Sequence, residues 1–183
     1  MRDVQKLTYE QLTEVRLTPE EASAATRHPI VAVLLDVRSL YNVGSIFRTA
    51  DAFGIERLLL CGFTPAPPRP EISKTALGAD SVVPFTVYKN VLDAIDQLKS
   101  TGYKVYAAEI AHGSLKPEDL GSEHFPLALV FGNELTGVPD EVLAVCHGAV
   151  EIPMYGTKHS LNVAVAAGVL LSSAVHRYRE TQS

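Results

Sequence analysis

The chain has 183 residues, of which 46% are hydrophobic, and such a composition is typical of one domain with a sizeable core. A net charge of −5 argues against a broadly basic surface for polyanions, although a local basic patch can act despite an acidic total. The run Leu161–Leu171 is about half of a bilayer span, and residues 1–17 lack the apolar core of a signal peptide. Cys61 and Cys146 lie in apolar stretches without a C-x-x-C pair, which favours buried thiols and no metal site. We therefore expect a soluble cytoplasmic protein with no membrane contact.

Strands and helices alternate along the chain after an N-terminal segment. Residues 1–29 are interpreted as a helical adaptor, with a helix start at Thr18 because Pro19 suits a first helical position. Strands are predicted at 30–36, 57–63, 81–88, 103–110, 126–132 and 149–153, and Pro84 places the strand at 81–88 toward an edge of the sheet. Helices are predicted at 43–53, 72–77, 90–102, 139 to about 147, and from 160 onward, with an exposed Pro-rich loop at 64–70. The alternation predicts an α/β domain over 30–183, with helices flanking a mostly parallel sheet.

Three polar loops follow three of the predicted strands. They read RSLYNVGSIFR (38–48), GNELTGV (132–138) and MYGTKHSLN (154–162). Ligands bind open parallel sheets at the carboxyl ends of the strands. The three loops should therefore converge on one site, provided that their strands are neighbours.

The polar residues of these loops each have an ordinary structural interpretation beside a functional one. Asn42 suits a helix cap, and Arg48 lies in an otherwise apolar helix, where a covered cation would need an anionic partner or a ligand. Glu134 suits a tight turn in which it pairs with an arginine or caps a helix. Ser160 is a plausible N-cap, whereas Asn162 inside a buried helix needs a partner for its amide.

The chemistry of this set is restricted. No dinucleotide or P-loop glycine motif occurs in the sequence, and no nucleophile–base pair or metal cluster has a persuasive spacing. An Arg, a Glu, a Ser and an Asn suit the binding of a polar substrate and the stabilisation of developing charge. The last helix is slim and apolar on most sides, which predicts that its own domain and a second subunit enclose it.

Taken in order, the three loops resemble the motifs of the SpoU/TrmH family of RNA ribose 2′-O-methyltransferases. The resemblance is carried by Asn42, Gly44 and Arg48, by FGNELTGV (131–138), and by IPM and SLNVAVA within 152–166. It covers roughly residues 30–176. It implies the SPOUT fold with a C-terminal trefoil knot, a homodimer formed through the C-terminal helix, and S-adenosylmethionine as cofactor.

The resemblance also implies roles for individual residues. The cofactor would be contacted by Gly132, Ile152 and Leu161, with Met154 nearby. The catalytic set would be Arg48, Asn42, Glu134, Ser160 and Asn162. Because arginine is a poor general base, we expect Arg48 to stabilise the ribose alkoxide and bind phosphate, with base catalysis as the alternative. The cations expected to bind RNA are Arg38, Arg48, Lys74 and Lys158.

The identity of the substrate depends on less specific features. A compact chain with short extensions favours tRNA over rRNA as the RNA partner. The alternatives are a non-catalytic RNA-binding or assembly protein with the same fold, and an enzyme acting on a small nucleotide-like metabolite. The intact polar set argues against the first alternative, and the missing phosphate loop argues against the second.

Overall fold

A six-stranded parallel sheet forms the centre of the molecule. The computed structural model describes residues 4–15 and 17–182. Its strands are β1 (His28–Leu35), β2 (Ile55–Cys61), β3 (Phe85–Tyr88), β4 (Lys104–Ala108), β5 (Leu127–Phe131) and β6 (Gly148–Val150). Every strand pairing is parallel, and the order across the sheet is β3-β2-β1-β5-β4-β6. The predicted α/β fold with a parallel sheet is confirmed.

Helices cover both faces of this sheet. The helices of the described residues are α1 (Tyr9–Glu14), α2 (Pro19–Ala24), α3 (Leu40–Ala52), α4 (Pro70–Ala76), α5 (Val91–Ser100), α6 (Asp140–Leu143) and α7 (Val163–Thr181). On one face α3, α4 and α7 pack against alternate residues of the strands, and on the other face α5 and part of α6 do so. In β1, Ala32 and Val33 face opposite layers and are both fully buried, which explains the continuous apolar run.

Several boundaries differ from the expectation. Helix α3 begins at Leu40 because the hydroxyl of Ser39 caps it, accepting from the backbone N–H of Asn42. Helix α6 ends at Leu143, and β6 ends at Val150, so the longer elements predicted there are wrong. The first residue of the Pro-rich loop, Thr64, is not exposed as predicted but buried.

The start of the last helix was also predicted wrongly. Ser160 is exposed and precedes the helix, which begins at Val163 with Asn162 as its N-cap. The side-chain oxygen of Asn162 accepts from the backbone N–H groups of Ala164 (2.9 Å) and Val165 (3.4 Å). Asn162 therefore does not lie inside the helix, where its amide would need a partner. It caps the helix, and its side-chain oxygen pairs with N–H groups that otherwise lack an acceptor.

The N-terminal segment lies at the periphery. Helices α1 and α2 both begin with a capping box, which confirms the helix start at Thr18. Helix α1 contains no buried residue. Arg27 links the segment to the domain, donating to the backbone oxygens of Ile55 and Val82 at 3.3 Å each. The domain boundary at residue 29 stays a prediction.

The C-terminal part of the chain returns from the last strand of the sheet, β6, to the central strand β1. Strand β6 pairs with β4, whereas α7 packs against α3 and β1. Residues 151–162, which the structure shows without helix or strand, therefore cross the carboxyl ends of the strands between them. The trefoil knot itself stays a prediction. Among the described residues, no helix has the length and apolarity that a membrane crossing requires.

Candidate active site

The three polar loops meet at the carboxyl edge of the sheet, but not for the reason expected. Strands β1 and β5 are neighbours, so the loops after them lie side by side. Strand β4 separates β5 from β6, and the assumed adjacency is wrong for the third loop. That loop reaches the site because residues 151–162 extend across the edge.

A chain of side-chain hydrogen bonds joins one residue from each loop. Asn162 Nδ2 donates to Asn42 Oδ1 at 3.2 Å, and Asn42 Nδ2 donates to Glu134 Oε1 at 2.9 Å. The direction of this chain is fixed at both ends. Backbone N–H donors of α7 hold the oxygen of Asn162, and the carboxylate of Glu134 can only accept when ionised. Both amides are therefore held in one orientation.

The loop after β5 is shaped by a close approach of its own backbone. A Cβ atom on Gly132 would lie 2.2 Å from the carbonyl carbon and oxygen of Gly137, so only glycine fits at position 132. Asn133 fastens this loop to the end of β1, because its Nδ2 donates to the backbone oxygen of Asp36 at 2.9 Å. Its Oδ1 accepts from the N–H of Leu135 at 2.8 Å. These contacts preform the loop that carries Glu134.

A cleft of about 520 Å³ opens between this loop and residues 151–161. Its volume is within the range of small-molecule sites. The sequence analysis missed Glu109, which lines the cleft just after β4 and accepts from the N–H of Val138 at 3.0 Å. Its position after a strand was hidden in the sequence, because the strand predicted at 103–110 includes it, whereas β4 ends at Ala108. Glu109 and Asn133 therefore both hold the loop that carries Glu134.

All four residues predicted to contact S-adenosylmethionine line this cleft. They are Gly132, Ile152, Met154 and Leu161. Glu134 and Ser160 line it as well, while Asn42 and Asn162 join it through their hydrogen bonds to Glu134 and to each other. Apolar side chains beside exposed backbone groups of a glycine loop suit a ligand with a flat ring and a polar end. The residues present therefore fit the cofactor.

Arg48 lies outside the cleft of its own chain. It is exposed, as are Tyr41, Asp51 and Ala52 of α3, and it does not line the cleft. The expectation that Arg48 is covered is therefore wrong for the single chain. No described residue pairs with it, and the expected anionic partner or ligand stays a prediction. Gly44, by contrast, is buried where α3 meets α4. The two helices are so close there that a Cβ on Gly44 would lie 2.3 Å from the backbone oxygen of Ile72.

The other three cations expected to bind RNA are all exposed. They are Arg38, Lys74 and Lys158. Arg38 lies in the loop after β1, and Lys158 lies in the crossing segment beside the cleft. Within 4–15 and 17–182, the structure contains no group of three or more His, Cys, Asp or Glu side chains arranged to hold a metal ion. The roles of these residues remain predictions.

Comparison with known proteins identifies the family. Residues 29–172 match the SpoU rRNA Methylase family. The chain belongs to this family. It is 35% identical over 163 residues to a Thermus thermophilus tRNA (guanosine(18)-2'-O)-methyltransferase, covering 88% of this chain and 82% of that protein. It is also 35% identical over 165 residues to the Bacillus subtilis 23S rRNA (guanosine(2553)-2'-O)-methyltransferase RlmP, covering 90% and 64% respectively.

Solved structures of SpoU proteins share the fold. The A. aeolicus TrmH/SpoU tRNA modifying enzyme has a TM-score of 0.77 and 26% identity, covering 88% of this chain and 81% of that one. An AdoMet-bound rRNA methyltransferase from Sinorhizobium meliloti has a TM-score of 0.76 and 30% identity, covering 88% and 61%. The predicted family is confirmed, and with it the predicted enzyme class, an RNA methyltransferase of the SpoU type.

Proposed function

We propose that this protein transfers the methyl group of S-adenosylmethionine to a ribose 2′-hydroxyl of tRNA in the cytoplasm. The observation that carries the proposal is the cluster formed by Asn42, Glu134 and Asn162, which joins all three family motifs beside one cleft. The similarity to a tRNA (guanosine(18)-2'-O)-methyltransferase, 35% identical over 163 residues, supports tRNA as the substrate class.

The cleft would hold the cofactor through the loop 132–138 and the crossing segment. Ile152 and Leu161 offer apolar contacts, and Met154 lies beside them on the lining. The backbone around Gly132 allows a ligand to approach closely because no side chain projects there. When bound, the cofactor supplies a methyl group on a sulfonium, which is activated for direct displacement.

The hydrogen-bonded cluster would orient the ribose. Glu134 Oε1 is occupied by Asn42, which leaves Oε2 to accept from a ribose hydroxyl. Ser160 lines the same cleft and can donate to a second sugar oxygen. Since α7 and the carboxylate fix the cluster, the substrate meets groups that need little reorganisation. Alignment and preorganised charge then contribute most of the rate.

Arg48 would complete the site from a second subunit. An exposed apolar stripe is formed by Leu161 (42% exposed), just before α7, and by Val165 (52%) and Val169 (40%) within it. We propose that two copies pair through this stripe and that Arg48 of each lies at the cleft of the other. A guanidinium there stabilises the developing alkoxide and binds a neighbouring phosphate.

Transfer of a labelled methyl group tests both the proposed reaction and the proposed role of Arg48. The wild type should label tRNA, Arg48→Ala should abolish the label, and Arg48→Lys should retain a small fraction because it keeps the charge but not the fork. RNA binding without transfer, unchanged in Arg48→Ala, would instead support a non-catalytic protein.

Subunit mixing tests whether Arg48 acts across the dimer. Arg48→Ala and Glu134→Gln are each expected to be inactive. In mixed dimers one of the two sites would combine an intact cleft with an intact arginine, so the mixture should recover about a quarter of the wild-type rate. A mixture that exchanges subunits and remains inactive would contradict the arrangement.

A further inference from the structure

An exposed aromatic ring lies at the same edge of the sheet as the active site. Phe63 follows β2, and its side chain is 75% exposed. The backbone on either side of it is fixed: Gly62 N–H donates to the oxygen of Tyr88 at 3.0 Å, and the buried hydroxyl of Thr64 donates to the oxygen of Leu34 at 2.8 Å. The ring is therefore presented to solvent from a rigid base.

Asp36 connects this ring to the active-site loop. The backbone N–H of Phe63 donates to Asp36 Oδ1 at 2.7 Å, and the backbone oxygen of Asp36 accepts from Asn133 Nδ2 at 2.9 Å. Asp36 adopts a positive φ of 54°, and Gly62 has a φ of +64° with no room for a Cβ against the Asp36 carboxylate. Two unusual backbone conformations thus hold Phe63 in place beside the loop of Glu134.

The ring has a cation beside it. The guanidinium carbon of Arg38 lies 5.5 Å from the centre of the Phe63 ring, within the range of a cation–π contact. Both side chains are exposed. Aromatic rings and guanidinium planes are the groups on which proteins stack unpaired bases, and the arginine charge also attracts the phosphates between them.

We propose that Phe63 and Arg38 form a stacking platform for an unpaired nucleobase of the RNA substrate, beside the nucleotide that is methylated. The inference rests on the proposed function and extends it to how the RNA is held. A nucleobase with its phosphate offers both a π face for the ring and an anion for Arg38. An apolar protein surface offers only the first and would bury the guanidinium without a partner.

The sequence allows a direct test, because the chain contains no tryptophan. Phe63→Trp introduces a single tryptophan at the platform, and Ser100→Trp places one at the exposed end of α5, near the amino ends of the strands. Unpaired RNA should quench the tryptophan at position 63 and leave that at position 100 unchanged. A fully paired duplex of the same composition should quench neither, since its bases are already stacked.

Binding and kinetics give a second readout. Phe63→Leu keeps an apolar side chain but cannot stack, so the Kd and KM for RNA should rise about ten-fold while the KM for S-adenosylmethionine is unchanged. Phe63→Tyr is the matched control and should keep both values. Wild-type RNA affinity in Phe63→Leu would overturn the platform. So would tryptophan fluorescence of Phe63→Trp that changes with protein concentration and not with added RNA. Quenching in a protein that binds RNA but transfers no methyl would support the platform and contradict the proposed function.

Discussion

Asn162 combines a structural role and a functional role that substitutions can separate. Its side-chain oxygen caps α7, and its Nδ2 donates to Asn42. Asn162→Asp keeps an oxygen for the cap, and a carboxylate at a helix N-terminus is favourable. The same change removes the Nδ2 donor and places a negative charge against Asn42 Oδ1.

The magnitudes for the two variants follow from these contacts. Asn162→Ala removes the cap and should lower the free energy of unfolding by about 1 kcal/mol, which corresponds to about 2–4 °C in Tm. Asn162→Asp should change it by less than about 0.5 kcal/mol. Both variants should lose roughly 10- to 100-fold in kcat/KM, because the amide of Asn42 is no longer oriented toward Glu134. A hydrogen bond to a charged group such as this carboxylate contributes about 1.5–3 kcal/mol.

Thermal unfolding and methyl transfer, measured on the same preparations, check this reasoning. Asn90 is the matched control: it caps α5 through an oxygen that accepts from Leu92 at 3.0 Å. Asn90→Ala should lose a similar stability and keep its activity. Wild-type activity in Asn162→Asp would refute the role of the network, and equal stability of Asn162→Asp and Asn162→Ala would refute the role of the cap.

Two further predictions concern the loop after β5 and the thiols. Gly132→Ala places a Cβ 2.2 Å from the backbone of Gly137 and should raise the Kd for S-adenosylmethionine at least ten-fold by calorimetry, whereas Gly156→Ala, which meets nothing within 4 Å, should leave it unchanged. Equal affinities would show that the loop does not form the cofactor site. Burial raises the pKa of Cys61 to about 12 and that of Cys146 to about 11, so both thiols stay protonated near neutral pH. Cys61 is buried and Cys146 is half-buried. Iodoacetamide should therefore label neither in the folded protein and both in denaturant; labelling of the native protein at about pH 8 would contradict the raised pKa values.

The sequence by itself predicted the elements and the composition of the site. Strands buried on both faces give uninterrupted apolar runs, so β1 and β5 were recognisable, and the edge position of β3 followed from Pro84. The three motifs identified the family because their residues are ordered along the chain. The four cofactor residues, named from that resemblance, all line one cleft.

Only the tertiary structure decided which strands are neighbours and where the polar side chains point. Strand β4 lies between β5 and β6, and nothing local in the sequence encodes that pairing, because strand order depends on contacts far apart in the chain. The helix start at Asn162 rather than Ser160 was decided by which side chain reaches free N–H groups. The exposure of Arg48 and of Phe63 depends on what packs beside them. The sequence pattern predicts which residues share one face of a helix or strand, but not which element packs against that face.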